Sequence, residues 1–310
     1  MLYGAIAGTL PDLDVLLNFV TDEVSATAMH RGFSHSLLFC LLFSPILGWL
    51  LVKLDRKKEA TMKQWTLMFF LVLVTHPILD AHTTWGTQFF WPLDIRLAFN
   101  NIFVIDPMYT FPFLILVLAA MFYKRTSNKR RRLNNLGLML SSAYLLLTLV
   151  FKGIGFYMFK KTLMRQDIEY FSLVTKPTPL NTILWNAQIE TENGYRFAYY
   201  SLFDEKPISF HSEIPKGHDL LTPYKEQEDI KAIIKLSRGF YTVEEVEGGF
   251  IYTDLKFGQY GFTKDAPYVW QYKLMKNSEG SLGIKKIDFT SDFKSTRNAF
   301  SSLIDRIKGN

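Results

Sequence analysis

Cys40 is the single cysteine among 310 residues, so no disulfide can form within the chain and the redox compartment stays open. Lying inside an apolar run, it reads as a small packing hydrophobe. The first residues show no basic start, apolar stretch and small-residue cleavage site, which leaves membrane insertion to internal apolar segments. No internal repeat or low-complexity tract stands out, so the chain is not organised as a repeat array. Charge is missing over long stretches as well: residues 37–52, 65–75, 107–123 and 133–151 hold no Asp, Glu, Lys or Arg.

Those uncharged runs set the class of protein. A bilayer core about 30 Å thick takes roughly 20 mostly apolar residues per helix. With their flanks, four spans are expected, at about 36–53, 64–81, 104–123 and 134–157. A soluble helical core is the alternative, and it is disfavoured because core helices seldom lose their polar face altogether. The formal net charge of +6 is concentrated between the spans. Lys53, Arg56, Lys57, Lys58 and Lys63 separate the first two; Lys124, Arg125, Lys129, Arg130, Arg131 and Arg132 separate the last two. Short loops rich in Lys and Arg stay in the cytoplasm, so both loops are expected inside and the opposite helix ends outside. This topological role accounts for the basic runs: the partner is the lipid bilayer, and no nucleic acid is predicted.

From about residue 160 the pattern changes to strands. Three hairpins are signalled by turn sequences between strand-like runs: ENG at 192–194, EGG at 247–249 and NSEG at 277–280. Helical patterns near 225–237 and 293–308 accompany them. The expected fold is therefore mainly α: a multi-helix transmembrane domain over 1–159, then a C-terminal α+β extramembrane domain over 160–310 built on an antiparallel sheet. His211 and His218 read as surface histidines, and this domain shows no catalytic pattern; its protein partner is left unassigned.

Ionisable side chains beside lipid-grade sequence are costly unless they have a use. Three short clusters stand out. In HPILD, His76 and Asp80 are four apart, which on a helix sets both on one face, close enough to share a metal. His82 is offset, fit for a third ligand or for supporting another. In HRGFSH, His30 and His35 are five apart with Gly32 turning the chain between them, Ser34 is a candidate N-cap, and Arg31 is suited to an anionic substrate oxygen. In PDLD, Asp12 and Asp14 fall on different faces, so one can ligate while the other orients a histidine. Each cluster also has a structural reading: helix capping for HPILD, interfacial anchoring for the histidines, an acidic helix start for PDLD. Asp106 can support the site or cap the helix that begins at Pro107. Trp85, Phe89, Phe90, Trp91, Phe99 and Phe103 crowd the loop between the second and third spans, as an interfacial aromatic belt does.

Taken together, GxxPDxD at 8–14, HRGxSHS at 30–36 and HxxxDxxTxxG at 76–86 resemble the YdjM-like membrane-bound, metal-dependent hydrolases, bacterial inner-membrane proteins also described as LexA-binding. The resemblance covers about the first 155 residues. It implies a plasma-membrane location and a bound divalent metal, zinc before manganese or iron. Members usually carry another helix ahead of PDLD, so a ligand from that helix would be missing here. The HxxxD pair also resembles part of the ligand set of zinc-dependent phospholipases C, which favours a phosphoester or lipid substrate. The metal ligands expected are His35, His76 and Asp80, then Asp14 and His30, with Asp12 as ligand or general base and Arg31 as a catalytic group. A metal-activated water at the extracytoplasmic face is the leading function. A non-enzymatic scaffold or stress-linked regulator with a structural metal is the alternative. A cation transporter is disfavoured, because the other half of the membrane has no matching polar residues.

Overall fold

The computed structural model describes residues 2–54, 60–259, 261–262, 266–277, 280–287 and 293–310. Arg56, Lys57 and Lys58 of the first basic loop lie outside the described residues. The chain forms two compact units, 1–100 and 101–310.

In the first unit, α1 (Leu2–Thr9) leads into a 3-10 segment (Pro11–Phe19), α2 (Glu23–Met29), a 3-10 turn (Phe33–His35), α3 (Leu37–Leu54) and α4 (Met62–Ala81). Ser36 starts α3, its hydroxyl accepting from the Phe39 amide at 3.0 Å. Ser34, the expected cap, is occupied elsewhere. α4 begins with a capping box between Thr61 and Gln64, which satisfies two amides that the helix start leaves open. α3 and α4 pack as a close pair: a Cβ on Gly48 would stand 2.6 Å from Thr66 Oγ1. Phe39, Cys40, Leu73 and Val74 fill one end of that contact, and Ala7, Leu51 and Phe69 join α1 to the other. Cys40 is fully buried there, as a packing residue should be.

In the second unit, α5 (Pro107–Met121) and α6 (Asn128–Arg165) precede eight strands among the described residues, with α7 (Glu228–Ser237) and α8 (Phe293–Ile307) among and after them. Asp106 caps α5, accepting from the Met108 and Tyr109 amides at 2.9 and 3.2 Å, and Tyr144 of α6 donates to the same carboxylate. Pro107 fits the first helical turn, where its missing N–H costs nothing. The strands form two antiparallel sheets rather than one: β1 (Ser172–Pro177), β2 (Leu184–Glu190), β3 (Gly194–Ser201) and β4 (Ile214–Pro215); then β5 (Tyr241–Val246), β6 (Gly249–Asp254), β7 (Gln271–Lys276) and β8 (Leu282–Ile287), each in sequence order. The three expected hairpins are β2–β3, β5–β6 and β7–β8. The last turns of α6 bury Phe159 and Leu163 against Trp185, Ala187 and Ile189 of β2. His211 and His218 are half-buried rather than on the open surface; His218 stacks on Tyr241 with ring centroids 3.9 Å apart.

Among the described residues, three helices are long and apolar enough to cross a membrane: α3, α4 and α6. The expected third span is a helix of 15 residues, α5, bounded by Asp106 at its start and Phe122 at its end. It is apolar but shorter than the roughly 20 residues a full crossing takes. α6 departs the other way: at 38 residues it measures about 57 Å, nearly twice a bilayer core.

Candidate metal centre

Four side chains from three chain-distant pieces of the first unit meet at one point. α4 is helical through Ala81, so His76 and Asp80 share a face one turn apart. The 3-10 turn before α3 swings His35 beside them, fully buried. The 3-10 segment after α1 brings Asp12 to the open side. The His35 Nε2 atom lies 3.3 Å from both Asp12 Oδ1 and Asp80 Oδ2, and His76 Nε2 lies 3.4 Å from the same two oxygens. All four ligand atoms fall within 4.8 Å of one another. Neighbouring ligands on one cation, at bonds of about 2.0–2.2 Å, stand about 3–3.6 Å apart, so the four nitrogen–oxygen distances match a shared ion.

The donor set passes a second test. His35 Nε2 and Asp80 Oδ2 are buried with no hydrogen-bond partner, an arrangement that is costly unless something else satisfies both atoms. Their outer atoms are, by contrast, fully engaged. The His76 Nδ1 atom sits 2.9 Å from the Gly8 carbonyl, which can only accept; the proton is therefore on Nδ1 and the Nε2 lone pair points into the cluster. Behind His35, Ser34 donates to Asp14 at 2.8 Å and faces His35 Nδ1 at 2.9 Å, with Asp14 Oδ2 3.3 Å from the same nitrogen. This turns Nε2 of His35 inward, free to present a lone pair once a cation takes the place of its proton.

Asp14 and His30, both expected among the ligands, stand one layer out. Asp14 Oδ1 is 2.8 Å from His30 Nδ1, and Oδ2 accepts from the Arg31 amide at 2.9 Å. Asp14 thus works as the orienting carboxylate that the two-face spacing of PDLD allowed. His30 is further held by Arg96, which donates to its carbonyl at 3.2 Å, and its ring is 5.8 Å from Trp85. Arg31 is turned inward: its Nε is 3.2 Å from Asp80 Oδ2 and its Nη1 donates to Thr83 at 3.0 Å. His82 ends α4 with its ring 5.1 Å from Phe99 and is not one of the four grouped residues. The roles of Ser34, Thr83, Arg96 and the Gly8 carbonyl are not evident from residue type alone. Thr83 and Gly8 hold places in the spaced motifs that could have singled them out, whereas a lone Arg in an aromatic loop carries no such signal.

Electrostatics follows from this wiring. The imidazoles of His35 and then His76, 3.3 and 3.4 Å from Oδ1, hold the Asp12 carboxyl well below the usual carboxylate range. Burial alone would push Asp14 up, but His30, His35 and the Arg31 amide outweigh it and hold it low. Burial alone would likewise push His35 down; its bonds to Asp12, Asp14 and Asp80 win, and it is raised to about 10. An anionic pocket that keeps a proton on a buried imidazole is one that a divalent cation can enter by replacing that proton.

Side-chain accessibility falls from 55% at Asp12 to 13% at Asp80 and zero at His35, so the centre opens on the Asp12 side. No curated protein and no solved structure matches the chain. A family model described as YdjM inner membrane protein does match, over residues 1–155, which takes in every residue of the centre, and the chain belongs to that family of inner-membrane proteins.

Proposed function

We propose that the protein is a membrane-embedded metal-dependent hydrolase that cleaves a phosphoester or lipid-related ester. The observation that carries this reading is the convergence of Asp12, His35, His76 and Asp80, with two of their inward atoms buried and unsatisfied. These four residues would hold the cation, with zinc the first choice from a mixed imidazole and carboxylate set and manganese or iron accepting the same donors. Bound there, a divalent metal supplies a nucleophile at neutral pH by lowering the pKa of water towards about 7, and polarises the ester oxygen.

The chain's own residues do the rest. Asp14 and the Gly8 carbonyl fix the two imidazoles in the tautomer that ligation needs. Asp12, the most open of the four, is placed to orient incoming water. Arg31 holds a fixed positive charge against Asp80 that offsets charge building up on the ester. Hydrolysis consumes one water: its oxygen bonds to phosphorus, the bond to one ester oxygen breaks, and the proton ends on the departing oxygen. We assign the basic loops to the cytoplasm and the centre and the sheets to the extracytoplasmic side of the inner membrane, following the charge pattern; this assignment needs the 15-residue α5, with its apolar flanks Val104, Ile105, Phe122 and Tyr123, to complete the crossing between α4 and α6.

The test is metal analysis of the purified protein together with a screen of phospholipids and soluble phosphoesters, with a His76→Ala, Asp80→Ala double variant as control. Stoichiometric metal and a turnover that the double variant loses support the hydrolase. Stoichiometric metal with no ester cleaved, and a melting temperature that drops on chelation, would instead identify a scaffold held together by its ion.

A further inference from the structure

The 3-10 segment that carries Asp12 has a side the metal chemistry does not use. With three residues per turn, side chains three apart stack in columns. Pro11, Asp14 and Leu17 form the inner column, with Pro11 buried and the other two half-buried. Leu13, Leu16 and Phe19 form an outer column, exposed by 48%, 53% and 84%, and Val20, just past the segment's end, is exposed by 75%. Asp12 stands in the third column, beside this ridge and exposed with it. At Thr21, Asp22 and Glu23 the sequence turns polar, and the ridge stops.

An apolar ridge facing water is the wrong pattern for a soluble surface, and two neighbours say what covers it. Directly before the ridge, α1 packs along the membrane-length helix α4 and exposes Leu2, Tyr3 and Ile6. The centre lies at the end of α4 and the start of α3, whose outward side chains are themselves apolar, Leu38, Leu41 and Ile78 among them. The ridge therefore continues a lipid-facing surface up to the rim of the site.

Resting on the hydrolase reading above, we propose that the substrate is a membrane lipid whose phosphoester headgroup reaches the centre from the bilayer, along the ridge of Leu13, Leu16 and Phe19 beside Asp12. The acyl chains stay in lipid next to the ridge while the headgroup enters on the open, Asp12 side.

Two measurements on the full chain test this in vesicles of phosphatidylethanolamine and phosphatidylglycerol. First, spin labels are attached at Phe19→Cys and Glu23→Cys in a Cys40→Ala background. Relaxation of the Phe19 label by oxygen and of the Glu23 label by an aqueous nickel chelate supports the proposal; a water-like Phe19 label overturns it. Second, turnover of the vesicle phospholipids is compared with turnover of water-soluble glycerophosphodiesters bearing the same headgroups. The lipid-to-soluble ratio is expected to fall at least about tenfold in Leu16→Glu and Phe19→Glu, because remote binding energy is lost. Wild-type metal content in both variants shows that they fold. An unchanged ratio, or a preference for the soluble diesters, overturns the bilayer route and leaves the hydrolase standing. No turnover of either substrate by metal-loaded protein overturns the hydrolase and this proposal with it.

Discussion

Asp14 serves His30, the Arg31 amide, Ser34 and His35 with two oxygens, and touches none of the inward ligand atoms. Its removal should loosen the centre without emptying it. We expect Asp14→Asn to weaken metal binding by about 10–100-fold, the usual cost of losing such a support. Asp80→Asn should abolish stoichiometric binding, and competition titration against a chelator distinguishes the two. Acidity enters through His35, raised to about 10 while no cation is bound. Cation entry expels that proton, so affinity should climb about tenfold per pH unit for each proton displaced and fall on acidification. Stability of the cation-free protein runs the other way at high pH. The charged His35 contributes fully below its ordinary 6.5 and the contribution is lost as pH rises through about 10. The low-lying Asp12 and Asp14 contribute above 3.8 and lose that contribution on acidification. Thermal melts across pH with and without metal should show the two opposite slopes.

At the scale of elements, HxxxDxxTxxG can be read position by position. His76 and Asp80 share a helix face; Thr83 closes the helix by donating to the Asp80 carbonyl at 2.7 Å and receives Arg31; Gly86 turns the chain at φ +68°. A Cβ on Gly86 would stand 2.1 Å from the Leu97 carbonyl oxygen. Gly86→Ala should therefore cost more than the roughly 1–3 kcal/mol of an unfavourable backbone alone. Gly153 in α6 has nothing within 4 Å of its Cβ direction, and Gly153→Ala should stabilise by about 0.5–1 kcal/mol. Both are checked by unfolding in detergent. The elements most legible in sequence were those with strong local signals: the apolar helices, and the hairpins marked by ENG and EGG. β1 and β4 escaped notice because one ends in a proline and buries Lys176, and the other is two residues long. The residue types that gather in the cluster were legible too, but not their depth. Whether an aspartate faces the cluster or the histidine behind it depends on the 3-10 winding of 11–19, which residue spacing in a helix does not foretell.

At the scale of the molecule, composition changes near residue 160, whereas compactness divides the chain after Asn100. The two boundaries report different things: one follows the switch from helix to strand, the other follows packing, and α6 belongs by packing with the sheet it carries. If α6 crosses the membrane once, its two ends lie on opposite sides. A cysteine at Ser127, before the basic turn, should then be shielded from an impermeant maleimide in intact cells, and one at exposed Ser212 should be labelled; the reverse outcome inverts the orientation. Fully buried Cys40 should stay silent in both. The length of α6 has one more consequence. No proline interrupts its 38 residues between the basic end and the turns that grip Trp185, and the run stays one continuous helix. If α6 crosses the bilayer, a twist of the sheet it carries would pass along the same shaft and reach the membrane as torque.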